Sequence, residues 1–348
     1  MGEPWLRSAA LFWTALLSFT APSYGANADE YRITGPLLHD NLTLFLVHGQ
    51  SAPGPVPMTL EEALQKQKVR VSEVGHVNEL AIENFGDREV FIQSGDIVTG
   101  GKQDRVIVSS LLLPPRSGKL NLAVFCVESG RWSPRQGTQD GHFVAAAAAM
   151  PSPRARTILY EAAAAPPQSG QPVNTSNLQS KMWATAASVQ ADLSRELRAN
   201  AADPASPTSL ALSLDMGKLK EAQKGFVHEL EPAALKEDDV LGFVLVVNGR
   251  ATKANIYASN KLFRAMWPKQ LRAAAAEAIQ DRTTGKAAPP SRQEISKLLD
   301  LATFGEPVEK KVTTSVVEVT RETSKMAFAE TRRIDKSWVL RSYLAKAP

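Results

Sequence analysis

The feature that most constrains this chain is the Asn248-Gly249 pair set between two β-forming runs, residues 240–247 and 250–257. A two-residue hairpin turn of type I′ needs positive φ at both central positions, and Asn-Gly meets that demand at least cost. The first run, Val-Leu-Gly-Phe-Val-Leu-Val-Val, is apolar without interruption and reads as a buried strand. Residues 250–257 are its returning partner. Whatever else the chain does, its core contains an antiparallel hairpin late in the sequence.

A second β-rich region precedes it. Residues 41–48, 69–74, 79–82 and 89–93 are short runs of β-formers bounded by Gly, Asn or Asp, and read as neighbouring strands. Between them, Thr59 followed by Glu62 three residues later is a capping-box signature, which predicts a short helix from Thr59. Residues 105–113 and 119–128 are two longer strands flanking the turn 114–118, so the spacing predicts a hairpin with a five-residue connection.

The region between the two β-rich parts is different in composition. Residues 133–175 are polar, then rich in Ala and Pro, and read as a partly mobile insertion or linker. Beyond it Leu178, Met182, Ala186, Val189, Leu193 and Leu197 recur at helical steps and define one face of a long helix. A second helix covers residues 219–230. A third covers 260–281, with Pro268 forcing a kink or break at its centre. Residues 283–290 are a linker, 291–302 a helix, and 312–320, 325–330 and 337–344 are β-like. The expectation is an α+β fold: a β-rich core with long helices inserted or packed on it, plus a small C-terminal β-rich module. The divisions are 1–28, 29–282 with its insertion at 133–175, and 283–348.

Residues 1–28 have the order of a secretory signal: Arg7, an apolar stretch over 9–17, and small residues at Ala26 and Ala28 that favour a cut after Ala28 over one after Gly25. The expectation is export, in a bacterium to the periplasm, with no integral membrane segment after processing because the apolar stretch is far short of a bilayer span. The 348 residues carry 43% hydrophobic and 22% charged side chains, an ordinary globular composition. A net charge of +4 does not by itself call for nucleic acid. One cysteine excludes an intramolecular disulfide framework. Five scattered histidines, without a His-x-His or His-x-x-x-His pair, give no reason to expect a transition metal. No metal or cofactor is expected, and a protein partner is left unassigned.

Chemistry is concentrated at two motifs. Gly100, Gly101, Lys102, Gln103, Asp104 and Arg105 precede the first strand of the predicted 105–128 hairpin, and Glu128, Arg131 and Trp132 follow the second. Antiparallel pairing brings these ends together. Glycines permit close backbone approach, Lys102, Arg105 and Arg131 can neutralise an anion, and Trp132 can stack on a base or close the core. The group lacks the ending and following helix of a Walker loop. Period-2 alternation places Cys126 at the end of an apolar row, which favours a buried, inert thiol; a nucleophilic thiolate would need a base or positive partner such as His48, His76, Lys102, Arg105 or Arg131. Glu128 and Asp104 are the candidates for general acid or base, a structural ion pair with an arginine being the other reading of Glu128.

Several of these residues carry a resemblance. Gly-Gly-Lys-Gln-Asp-Arg at 100–105, Val-Glu-Ser-Gly-Arg-Trp at 127–132, Gln179 and Trp183 on a helix, Ser206-Pro-Thr208, and Trp267-Pro-Lys269 together resemble the ARG and rhodanese-phosphatase-superfamily-associated protein domain family over about residues 34–281, with the tail after Pro289 outside it. The resemblance implies no established activity; the family's name implies association with ADP-ribosylglycohydrolases and rhodanese-phosphatases, and so a nucleotide or ADP-ribose context. It also implies an acidic residue where this chain has Asn255, weakening any acid/base role there. The functional expectation is a domain binding an anionic or nucleotide-like ligand at the hairpin end. The alternatives are a hydrolase of a phosphorylated or ADP-ribose-like compound, and a structural or protein-interaction module.

Overall fold

A computed structural model describes residues 31–135, 143–165, 176–283, 285, 287–302 and 304–346. The expected signal segment lies outside the described residues. From the start of these residues the chain forms β1 (Arg32–His39), β2 (Leu42–His48), β3 (Met58–Thr59), α1 (Leu60–Gln65), β4 (Val69–Glu73) and β5 (Glu79–Asn84). There follow β6 (Val90–Ile92), β7 (Ile97–Gly100), β8 (Arg105–Ile107), β9 (Leu111–Leu113), β10 (Gly118–Cys126) and β11 (Phe143–Ala145). The helical stretch holds α2 (Pro153–Ala164), α3 (Ser176–Leu197), α4 (Leu210–Asp215) and α5 (Gly217–Leu235). Then come β12 (Val240–Val247), β13 (Arg250–Tyr257), α6 (Asn260–Gln280), α7 (Arg292–Leu301), β14 (Val308–Lys311), β15 (Val316–Glu322), β16 (Met326–Arg333) and β17 (Trp338–Ala345).

The fold is α+β and β-rich. Its largest sheet is antiparallel and eight-stranded, in the order β1-β2-β12-β13-β17-β16-β15-β14. The Asn248-Gly249 hairpin lies inside it: Val247 pairs with Arg250, and both turn residues have positive φ, 49° and 75°. All eight residues of β12 are buried, as an uninterrupted apolar run requires. The C-terminal β-rich residues continue this sheet directly, because β17 pairs with β13.

A six-stranded sheet, β11-β7-β8-β10-β5-β4, and a three-stranded sheet, β3-β6-β9, complete the β structure of the described residues. The expected 105–128 hairpin is partly realised. Ile107, Val106 and Arg105 pair with Val124, Phe125 and Cys126, but residues 111–113 leave to pair with β6, and residues 118–123 pair with β5 instead. The chain is drawn off its partner by Ser94, whose hydroxyl donates to the Val108 carbonyl (2.6 Å) and whose N–H donates to the Ser110 hydroxyl (2.9 Å). The ends named in the hairpin argument still meet, since pairing survives at the Arg105–Cys126 end.

Two other expectations need correction. Residues 133–175 are not simply a linker: among the described ones, β11 joins the six-stranded sheet and α2 buries Ala155, Ile158, Leu159 and Ala163. The Ala-rich composition reflects close packing of a helix, not freedom from the core. Of the kink or break expected at Pro268, the break does not form, for α6 runs without interruption from Asn260 to Gln280. Proline removes one backbone hydrogen bond, but α6 is buried on nearly every side, and that packing holds the helix together across the gap. The Thr59–Glu62 capping box forms as the sequence requires.

Candidate functional site

The loop 100–105 and the strand end 126–132 meet through two buried carboxylates. Asp104 donates its N–H to Glu128 Oε2 (2.9 Å), and its own Oδ1 accepts from the Gly100 N–H (3.2 Å). Glu128 receives Arg131 as a two-pronged pair, Nε to Oε1 and Nη2 to Oε2, both 2.6 Å, and also accepts from the Ser206 hydroxyl and from Arg135 Nη2 (3.2 Å). Asp104 Oδ2 accepts from Ser209 Oγ (2.6 Å) and from Arg135. Both carboxylates are fully buried. Burial alone pushes the Glu128 carboxyl up, but the Arg131 and Ser206 hydrogen bonds, the Asp104 amide and the charge of Arg135 outweigh it and hold the group below the usual carboxylate range. Glu128 is therefore ionised at neutral pH with both oxygens engaged, a poor arrangement for a general acid and a good one for a structural anchor.

Gly100 and Gly101 both have positive φ. A Cβ on Gly101 would collide with the Phe143 ring and the Glu73 carboxylate, so the close approach this glycine allows is to the protein's own β11 and β4. Arg131 Nη1 then donates to the Gly101 carbonyl (3.0 Å), tying the two motifs at the backbone.

Arg105 is different. Its side chain is fully buried, yet Nε, Nη1 and Nη2 have no hydrogen-bond partner among the described residues. The nearest acid is Glu73, with Nη2 to Oε2 at 3.8 Å, and that oxygen is itself without a partner, while Oε1 accepts from the Lys102 N–H (2.8 Å). Trp132 is 44% exposed and lies against both remaining cations, 5.0 Å from Lys102 Nζ and 5.7 Å from the Arg105 guanidinium carbon to the ring centre. It does not close the core but covers a pair of positive charges. Gln103 is buried beside them. Cys126 donates weakly to the Val77 carbonyl (3.6 Å), and burial pushes its thiol up to about 11, far from a thiolate nucleophile.

Elements distant in sequence lock this arrangement. Gln179 on α3 treats the end of β10 as a neighbouring strand would: its Oε1 accepts the Cys126 N–H and its Nε2 donates to the Cys126 carbonyl, both 2.9 Å. One helical turn later, Trp183 Nε1 donates to the Glu128 carbonyl (3.1 Å). Thr208 takes the Ser129 backbone on both sides, accepting from its N–H (3.1 Å) and donating to its carbonyl (2.6 Å). Ser209 caps α4 while holding Asp104.

A family model matches residues 30–344. The chain belongs to the ARG and Rhodanese-Phosphatase-superfamily-associated Protein domain family. Comparisons with curated proteins and with solved structures return no match. The family match extends through the C-terminal strands, so the expectation that the tail lies outside the resemblance is corrected; β17 sits inside the family's largest sheet here. The family-like residues fall into two groups. Those at 100–105, 127–132, 179–183 and 206–208 build the hairpin end. Trp267 and Lys269 belong elsewhere, on α6, where Trp267 packs on Phe243 and Phe263, and Lys269 reaches Asp96 (3.4 Å) and Glu61 (3.6 Å).

Arg135, Ser209 and Glu73 were not singled out from sequence. Arg135 lies in a polar stretch with no periodicity, and Ser209 carries only the generic signal of a helix cap. Among the described residues, one further group could offer metal ligands: His48, Glu237 and Asp239, with ligand atoms within 4.8 Å of one another. The chain supplies a cation of its own there. Arg32 Nη2 lies 2.8 Å from Asp239, 3.3 Å from Glu237 and 2.9 Å from His48 Nδ1.

Proposed function

We propose that the protein binds a small anion at the hairpin end, through Lys102 and Arg105 beneath Trp132. The observation that carries this reading is the Arg105 guanidinium, fully buried with none of its three nitrogens hydrogen-bonded among the described residues and only a long ion pair to Glu73 (3.8 Å). An unsatisfied buried charge is costly, and an anion with several acceptor oxygens is the group that relieves it best. Charge counting supports the same reading: Arg131 and Arg135 are engaged by Glu128 and Asp104, which among the described residues leaves Lys102 and Arg105 against Glu73 alone. The indole gives the site an aromatic face, suited to an anion attached to a ring such as a nucleotide, and the ADP-ribose context that the resemblance implies points the same way. Trp132 must swing aside for entry, and its 44% exposure leaves it room.

This reading narrows the expected binding set. Asp104, Glu128 and Arg131 become the frame of the site, and Gly100 and Gly101 the turn that shapes it. A hydrolase using Glu128 as base is less well supported, because its oxygens are already filled by donors. Export, supported by Arg7 and the apolar stretch 9–17, would direct the site toward ligands outside the cytosol. The test is calorimetric titration with ADP-ribose, pyrophosphate and inorganic phosphate. Lys102→Ala is expected to weaken binding of any of these about ten- to a hundredfold, the loss of one charged hydrogen bond of roughly 1.5–3 kcal/mol, with no change in melting temperature. Equal affinity for the parent and Lys102→Ala, or no binding of any of the three, rejects the proposal.

A further inference from the structure

A second, separate site lies over the large sheet. A cavity of about 80 Å³ separates α2 from the face of β13, β17, β16 and β15, with Ser94, Val108 and Ser110 forming one wall. It exists because the register places small side chains side by side there. Asn255 pairs with Ser342 and Ser342 with Ala329, while Leu344 pairs with Ala327 in the adjacent row. Alanine and serine floor the space, and Arg156, Tyr160 and Ala163 of α2 roof it without filling it.

The polar groups around this cavity are incompletely satisfied, and they differ in sign from end to end. Glu318 is 4% exposed and its Oε2 has no partner. At the other end, Lys253 has one hydrogen bond, to the neutral amide oxygen of Gln270 (2.6 Å), and no carboxylate within ion-pair distance among the described residues. Between and beside them, Asn255 Nδ2 and Arg156 Nε are buried donors without acceptors. Arg156 gives its other two nitrogens to Glu277, at 2.7 and 3.2 Å. The energetics follow the geometry: burial pushes the Glu318 carboxyl up to about 7 against the attraction of Lys310, and burial with repulsion from Arg156 pulls the Lys253 ammonium down to about 7 against Glu277 and Asp96. Each group lacks the counter-charge that would keep it in its ordinary state.

We infer that this cavity binds a short carboxylate with a hydrogen-bond donor at its far end, an amino or hydroxy acid, the carboxylate facing Lys253 and Asn255 and the donor facing Glu318. A lone ion does not fit this description. Lys253 and Glu318 stand three strands apart and four residues apart along them, since Glu318 is in register with Tyr257 through Thr331 and Leu340; at about 4.8 Å per strand and about 3.3 Å per residue their backbones are roughly 20 Å apart, so one atom cannot serve both. An elongated molecule with an apolar middle does serve both, and the alanines beneath its path suit that middle.

The probes are γ-aminobutyrate and γ-hydroxybutyrate, with butyrate as the control lacking the donor. Binding is measured by calorimetry and melting temperature at about 10 mM, enough to saturate a millimolar site. Both probes are expected to raise the melting temperature, and butyrate to bind about tenfold more weakly. Ala329→Leu fills the cavity with hydrocarbon without touching a charge, so it is expected to remain folded by circular dichroism and to lose binding. Glu318→Gln is expected to weaken γ-aminobutyrate more than γ-hydroxybutyrate. The inference is overturned if neither probe binds the parent, or if folded Ala329→Leu binds as the parent does. Lys102→Ala should leave these affinities unchanged, which separates this site from the one at the hairpin end.

Discussion

The Glu128–Asp104 frame of the hairpin end and the cavity over the large sheet both withdraw charge from water, and they do so with opposite completeness. Around Glu128 and Asp104 every carboxylate oxygen has a donor, from Arg131, Arg135, Ser206, Ser209 or a backbone N–H. Around the cavity, Glu318 Oε2 has no donor, and Asn255 Nδ2 and Arg156 Nε have no acceptor, among the described residues. The difference separates what a fold needs from what it holds in reserve. A satisfied buried network fixes one conformation, whereas unsatisfied groups lining a space cost stability and persist where something else completes them.

The sharpest way to break this comparison is to remove a charge from each region and read the sign of the effect. Glu128→Ala leaves Arg131 and Arg135 without their shared acceptor and is expected to lose about 3–5 kcal/mol by urea denaturation. Arg131→Ala should cost a similar amount for the same reason, so weakened ligand binding in that variant would report a damaged frame. Glu318→Gln, in contrast, is expected to leave stability unchanged or raise it at neutral pH, since it removes a poorly housed charge. A large loss in Glu318→Gln would show that the cavity is as satisfied as the cluster.

A smaller effect sharpens the role of Gln179. Gln179→Ala removes both side-chain bonds to the Cys126 backbone and is expected to cost about 1–3 kcal/mol, the penalty of buried backbone groups left unmet. Amide exchange at Cys126 should accelerate in step. If exchange there is unchanged, the strand end is held by β8 alone.

The pH dependence offers a third comparison, within the cavity itself. Glu318 has a raised carboxyl, so its contribution is fully present below about 4.5, its ordinary value, and is lost as pH rises through about 7. Lys253 has a depressed ammonium, so its contribution is present above about 10.5 and is lost as pH falls through about 7. Together they place a shallow stability minimum near neutrality. Lys253→Met should flatten the alkaline limb of a melting-temperature profile and Glu318→Gln the acid limb; unchanged limbs would contradict the assignment. The smallest expected effect is Cys126→Ala, about 1 kcal/mol of packing, with slow thiol labelling of the parent.

Local chemistry in the sequence was informative wherever one short segment decided the outcome. Asn248-Gly249, the Thr59 capping box and the helical spacing from Leu178 to Leu197 each report their own geometry, and each is realised. The meeting of 100–105 with 128–132 was also legible, because antiparallel pairing needs only two strands and a turn. What escaped were properties set by a third partner. The departure of residues 111–113 to β6 depends on Ser94, and the packing of α2 depends on a sheet formed by distant strands. The cavity is the extreme case: it arises from four strands whose small residues align only once the register is fixed, so no single stretch announces it.

The position of β17 has a consequence for the order in which the molecule can be made. This strand lies between β13 and β16 in the interior of the eight-stranded sheet, yet it is synthesised roughly 80 residues after β13. At a translation rate of about 5–20 residues per second, the nascent chain presents the bare edge of β13 for roughly 4–16 s. During that interval its N–H and C=O groups form an open template, and the strand most complementary to it has not yet left the ribosome. The β12–β13 hairpin thus waits with an open edge during synthesis, and the tail that follows it is what closes that edge.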